Sequence, residues 1–328
     1  MKKLLVLTLA PLLLAAAPTG YHIVGEIKIG GEGGWDYLTV DSAARRLYVS
    51  HATHVVVVDV DANKVVGDIP DTPGVHGIAI APEVGRGFIS NGRGNNITIF
   101  DLKTLKVTGT AAAGENPDSI RYDNVSGRVF AFNGRSKSAT VVDAKTGTVA
   151  ATIPLSGKPE FSVADGKGKV YVNIEDTSEI VEIDAAKATV LKKFSLSPCQ
   201  DPSGLAIDTK NRRLFSVCSN RLMAISNPDT GKVETTLPIG AGPDGVAFDP
   251  GTGYVFSSNG DGTMTVVQQT GGKWEVVENI ATERGARTVA VDEKTHKVYS
   301  PTAKTAPSQG GGRASFIPDT FKVLVVGK

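Results

Sequence analysis

One stretch of residues is repeated seven times along this chain, with successive copies 40 to 43 residues apart. The hexamers "DYLTVD" at Asp36, "HGIAIA" at His76, "DSIRYD" at Asp118, "EFSVAD" at Glu160, "SGLAID" at Ser203, "DGVAFD" at Asp244 and "RTVAVD" at Arg287 align without gaps. A unit of this length cannot bury its apolar face alone, so neighbouring units must pack on one another.

Each copy continues alike. A polar turn ("SAAR", "TKNR", "PGTG", "EKTH") leads to an apolar run such as "RLYVS" or "RVFAF", a third run such as "VVVVDV" or "ITIFDL", and a fourth such as "KVVGDI" or "KVETTL". Four short β-branched runs bounded by turns predict a four-stranded antiparallel sheet, and no segment carries a helical period. Seven such sheets in a circle are an all-β, seven-bladed β-propeller. The last copy stops at "FKVLVVGK", which matches a third run, while "YHIVGEIKIG" from Tyr21 to Gly30 reads as a fourth run placed ahead of the first copy. The N-terminal strand is therefore expected to close the last blade and to remove the open edge of a linear array. Residues 21–328 form one domain on this reading.

The opening "MKKLLVLTLAPLLLAAAPTG" has the two lysines, short apolar run and small residues of a secretory signal peptide (1–17), with cleavage between Ala17 and Tyr21. A soluble, monomeric protein of the bacterial periplasm or exterior is expected, with no membrane insertion. In that oxidising setting Cys199 and Cys218 read as one disulfide, the other reading being two separate buried thiols. The 35 basic and 34 acidic residues leave a formal charge of +1, so the broad positive field needed for bulk nucleic-acid or anionic-membrane binding is missing.

Repeats built on "PDGVAFD", "RLYVS", "VVDAKTG" and "TIPLSGKP" resemble the YVTN-type repeat, and the chain beyond the leader is similar to exported YncE-like seven-bladed propellers. The resemblance implies the fold and an exported life. It does not choose among the binding proteins, lactonases, lyases and quinoprotein subunits built on such propellers. The Trp35-Asp36 pair precedes a first run instead of closing a third, unlike WD40 repeats, and no Cys-x-x-Cys-His haem attachment sequence is present.

Topology sorts the polar residues. The first run of a blade is innermost, and the fourth-to-first and second-to-third loops share one face. Asp36, His76, Asp118, Glu160, Ser203, Asp244 and Arg287 thus form an inner ring at one mouth of the channel. Clustered carboxylates raise one another's pKa unless a cation compensates, so His76, Asp118, Glu160 and Asp36 are candidate ligands for a divalent metal (Ca, Mg or Zn). A hydrated plug pairing within itself, with Arg287 beside Asp36, is the plainer reading. A second ring on the same face holds His51, Arg93 and Arg135 of two "NGR" turns, and Glu175. His51 and His76 on neighbouring blades are a candidate ligand or acid/base pair. The last gap, "SPTAKTAPSQGGGRASFIPDT", opens on that face as a candidate lid or docking loop, with a loose insertion as the other reading.

Two functions follow. One is a ligand- or partner-binding propeller whose charged mouth takes a polar small molecule, a peptide or a periplasmic protein. It agrees with the absence of any Gly-x-Ser-x-Gly, His-Glu-x-x-His or Walker sequence. The other is a metal-dependent hydrolase, lactonase or lyase working in the funnel, with His76 or His51 moving the proton. DNA binding through the arginines is opposed by their acidic neighbours.

Overall fold

The second and third strands of each repeat are buried almost end to end, as Arg46–His51 and His54–Asp59 show in blade one, whereas the fourth, Lys64–Ile69, is exposed along most of its length. This gradient is what a blade requires: its middle strands are covered on both faces by neighbouring blades, and its last strand faces solvent. The computed structural model describes residues 19–306 and 315–328. Within them lie seven four-stranded antiparallel sheets. Their first strands touch in cyclic order, with Ala290–Asp292 of blade seven meeting both Pro243–Asp249 of blade six and Leu38–Asp41 of blade one. The protein is a seven-bladed β-propeller.

Closure follows the predicted exchange. His22–Lys28 pairs antiparallel with Lys322–Gly327 as the outer strand of blade seven, running from His22 opposite Gly327 to Lys28 opposite Lys322. Tyr21 extends this seam by packing edge-on against Tyr254 and Phe256 of blade six. Every apolar cluster joins neighbouring sheets, as Val163, Tyr171 and Leu196 join Leu205, Leu214 and Ala224 between blades four and five.

Away from the mouth, the blades are clipped together at the turn between first and second strands. Arg45, Arg212 and His296 occupy the same place in the turns "SAAR", "TKNR" and "EKTH", all with left-handed φ of 58, 56 and 59°. That conformation sends each side chain onto the aspartate that closes the hexamer of the preceding blade. Arg45 reaches Asp292 at 2.8 Å, Arg212 reaches Asp165 at 3.0 Å, and His296 reaches Asp249 at 2.9 Å. The other blades place a glycine there, Gly253 at φ 74° for example, the residue that takes a left-handed φ without steric cost.

Cys199 and Cys218 form the disulfide, with Cα atoms 5.6 Å apart, joining the loop into blade five to the end of that blade's second strand. No helix among the described residues is long and apolar enough to cross a membrane. The signal-peptide segment 1–17 lies outside the described residues, as does the centre of the last gap, 307–314. The stems of that gap pair through Thr305 and Phe316, and the Phe316 ring lies 4.7 Å from Trp35.

Candidate functional site at the channel mouth

β-Bulges select which side chains reach the axis. In blades two to six the register between first and second strands slips at the same place, between Val75 and Ile78, Pro117 and Ser119, Pro159 and Ser162, Pro202 and Leu205, and Pro243 and Gly245. The slipped segments hold His76, Asp118, Glu160, Ser203 and Asp244. A bulge re-aims one side chain out of the ladder, and the proline before four of these residues has no N–H to continue it.

Three charged groups of the inner ring meet directly. His76 Nδ1 lies 2.5 Å from Asp36 Oδ2 and 3.1 Å from Asp118 Oδ1. Burial opposes a charge on this ring, but the bond to Asp36 and the fields of Asp118 and Asp36 outweigh it and raise the pKa to about 8. The imidazole is therefore a cation shared by two carboxylates. Arg287 pairs with Asp244, stands 3.9 Å from Asp36 and donates to the Trp35 carbonyl at 3.1 Å. Ser203 turns its hydroxyl away to the Pro243 carbonyl.

Glu160 does not join the trio of Asp36, His76 and Asp118, which departs from the expected ligand set. Its Oε1 accepts from Lys158 Nζ at 2.6 Å, and the same ammonium pairs with Glu175. Lys158 precedes blade four in a fourth-to-first loop, so its face was legible even though the sequence reading passed over it. Burial first, and then neighbouring carboxylates, push the carboxyls of Asp118, Glu160 and Asp244 upward. Asp36, Asp118, Glu160, Glu175 and Asp244 together outnumber the cations His76, Lys158 and Arg287.

The second expected ring comes only partly to the mouth. Arg93 and Arg135 stand exposed at their turn tips and form no ion pair among the described residues. Their "NGR" turns frame the trio, because a Cβ on Gly92 would lie 2.6 Å from His76 Nε2 and one on Gly134 would lie 3.7 Å from Asp118 Oδ2. His51 does not reach the carboxylates. It is buried against Phe321, 4.4 Å between ring centroids, in the packing of blades one and seven, and the structure does not bring it together with His76.

Two aromatic rings floor the bowl. The second residue of the hexamer is Gly77, Ser119, Gly204, Gly245 or Thr288 in five blades but Tyr37 and Phe161 in the others. Their rings meet at 4.6 Å, and the half-buried Arg121 places its guanidinium 5.3 Å from the Phe161 ring centroid. Desolvation lowers the pKa of Arg121 to about 10. Tyr37 has its phenol held protonated by burial and by the fields of Asp36, Asp244, Glu160 and Asp118. That break in an otherwise small position was a usable sequence signal.

Beside the mouth, a cleft of about 660 Å³ is lined by Thr53, His54, Asp68, Asp71, Thr72 and Asn96. Among the described residues its one contact between titratable side chains is His54 to Asp68 at 3.7 Å, so the convergence of charge lies in the mouth.

No protein-family model matches the chain, and no curated protein matches it. Solved structures do, 1820 chains in all, a breadth that speaks to fold and not to activity. Among them is a chain of hydrazine synthase from Kuenenia stuttgartiensis, similar at a TM-score of 0.52 and 15% identity over 74% of this chain and 97% of that one. At that identity the likeness concerns the propeller architecture alone.

Proposed function

We propose that the protein is an exported, YncE-like propeller that binds a polar ligand carrying an anionic group in the charged mouth of its channel. One observation carries this reading. Charged side chains from six blades converge on a bowl floored by Tyr37 and Phe161, while Arg93 and Arg135 at its rim form no ion pair among the described residues. Paired charges inside a bowl position a ligand, and unpaired arginines on two adjacent turns offer the forked donors that carboxylate and phosphate groups take. The disulfide and the signal-like leader support an exported setting.

The test is a thermal-shift panel of organic acids, phosphates and short peptides with free C-termini. A carboxylate- or phosphate-bearing compound should raise the melting temperature of the wild-type protein, and Arg93→Glu/Arg135→Glu should abolish that rise. A panel that leaves wild type and double variant equally unmoved removes the reading.

A further inference from the structure

Arg121 holds a place that no other blade gives to a charge. The fourth residue of the hexamer is Thr39, Ala79, Val163, Ala206, Ala247 or Ala290 in the other six copies. These positions lie on the first strands, two residues deeper than Tyr37 and Phe161, whose rings come from blades one and four and meet across the axis. Side chains packed between blades, such as Leu47, Val129 and Leu214, are fully buried, whereas Ala79, Val163, Ala206 and Ala247 keep 5 to 9% of their surface and Thr39 and Ala290 keep more. The channel is therefore open to water at this level, and the rest of its wall is uncharged.

Arg121 extends its guanidinium into that space. Its Nε–H donates to the Ser162 carbonyl of blade four at 3.0 Å, and the group lies 5.3 Å from the Phe161 ring centroid, which fixes the head against one wall. The two terminal nitrogens form no hydrogen bond, and the side chain no ion pair, among the described residues. The cations of the mouth differ in this respect, because His76, Lys158 and Arg287 each have a carboxylate partner. Desolvation lowers the Arg121 pKa only to about 10, so the charge persists at neutral pH. A cation drawn out of bulk water without a counter-charge is costly, and its free forked donors are what an anion takes up.

We propose that the central channel holds a small monovalent anion of the chloride class, bound by the terminal nitrogens of Arg121 beneath the floor of Tyr37 and Phe161. Charge sets the class. One guanidinium neutralises one negative charge, no other wall residue at this level adds a cation, and the carboxylates of the mouth outnumber its cations, so a sulfate or phosphate dianion would be left uncompensated. An anion that binds the closed ring and not the unfolded chain stabilises the propeller by mass action. The site lies apart from the rim arginines Arg93 and Arg135 and does not rest on the ligand reading of the mouth.

Two measurements on the full-length protein test this. Thermal unfolding is followed at fixed ionic strength while sodium gluconate, a bulky hydroxylated carboxylate, is replaced by sodium chloride or sodium nitrate. The midpoint should rise and saturate with either small anion. Arg121→Gln should lose the response, and Arg121→Lys, which keeps the charge without the fork, should need roughly tenfold more chloride. Wild-type crystals soaked in sodium bromide should show an anomalous peak in the channel at hydrogen-bonding distance from Arg121, a readout that needs no variant to fold. A midpoint indifferent to chloride, a response that survives in Arg121→Gln, or bromide peaks confined to the exterior of the propeller would each overturn the site.

Discussion

The imidazole of His51 stacks on Phe321 with ring centroids 4.4 Å apart, and neither ring nitrogen has a hydrogen-bond partner among the described residues. Burial, reinforced by His54, drives the His51 pKa down from 6.5 to about 4. The folded state therefore keeps the ring neutral while the unfolded chain binds a proton. His51 should cost nothing above about pH 6.5 and should withdraw stability as pH falls towards 4, on the order of 3 kcal/mol in all. Urea denaturation at pH 7.5 and 4.5 checks this against His51→Leu, which loses the stack but carries no titrating group. The variant should be about 1 kcal/mol weaker at pH 7.5 and the more stable of the two at pH 4.5. A constant difference across the two pH values would mean that His51 is not the acid-sensitive group.

The clips between blades make a second expectation. Arg45 pairs with Asp292, whose side chain is fully buried, and also with the exposed Asp61. Removing the guanidinium leaves a carboxylate without its partner in the interior, so Arg45→Ala should lose about 3 kcal/mol. Arg45 sits at φ 58°, so Arg45→Gly relieves backbone strain and should recover about 1 kcal/mol of that loss. The double variant Arg45→Gly/Asp292→Asn, which also removes the stranded charge, should recover more. Equal denaturation midpoints for Arg45→Ala and Arg45→Gly would show that the left-handed turn stores no strain.

These clips also show where the sequence stops being legible. The repeat, the seven blades and the exchanged strand follow from spacing and apolar pattern, because register and burial are set by the same alternation. The shared face of Asp36, His76 and Asp118 follows from loop order. The turns "SAAR", "TKNR" and "EKTH" by themselves read only as polar, and the left-handed φ that throws Arg45, Arg212 and His296 onto the neighbouring blade shows only as the glycine that the other copies carry at that place. His51 ends a strand in which nearly every residue is buried, so no alternation said which way its ring would point. Lys158, Tyr37 and Phe161 were within reach, the first from loop topology and the others from comparing the same hexamer position across blades.

Gly92 belongs to the mouth without carrying a functional group. A methyl group there would lie 2.6 Å from His76 Nε2 and 2.8 Å from Asn116 Oδ1, closer than real contacts allow. Gly92→Ala should push the imidazole off Asp36 and Asp118 and cost about 1–2 kcal/mol through overpacking. In NMR, the His76 ring nitrogens should lose the downfield proton signal of a short hydrogen bond. Gly109→Ala, in a strand where a methyl group meets nothing within 4 Å, is the control and should be neutral or slightly stabilising. Should Gly92→Ala leave the His76 signal and the stability as they are, the close fit of the turn against the histidine would be wrong.

The exchanged strand His22–Lys28 is the seam of the whole ring, and its contribution is separable from the rest of the chain. It pairs with Lys322–Gly327 along its length, and Ile27, 1% exposed, is the side chain it buries in the cluster with Val323 and Val325. Ile27→Ala should cost about 3 kcal/mol, whereas Val24→Ala, on the solvent side, should change stability by less than about 0.5 kcal/mol. A chain beginning at Gly30 leaves Lys322–Gly327 as an unpaired edge, the kind of edge that templates aggregation. Adding the peptide Tyr21–Lys28 in trans should restore the near-ultraviolet circular dichroism of the intact protein and suppress light scattering, and the same peptide with Ile27→Asp should do neither. If the truncated chain is native and monomeric without the peptide, then contacts between blades six, seven and one close the propeller by themselves and the exchanged strand only covers an edge.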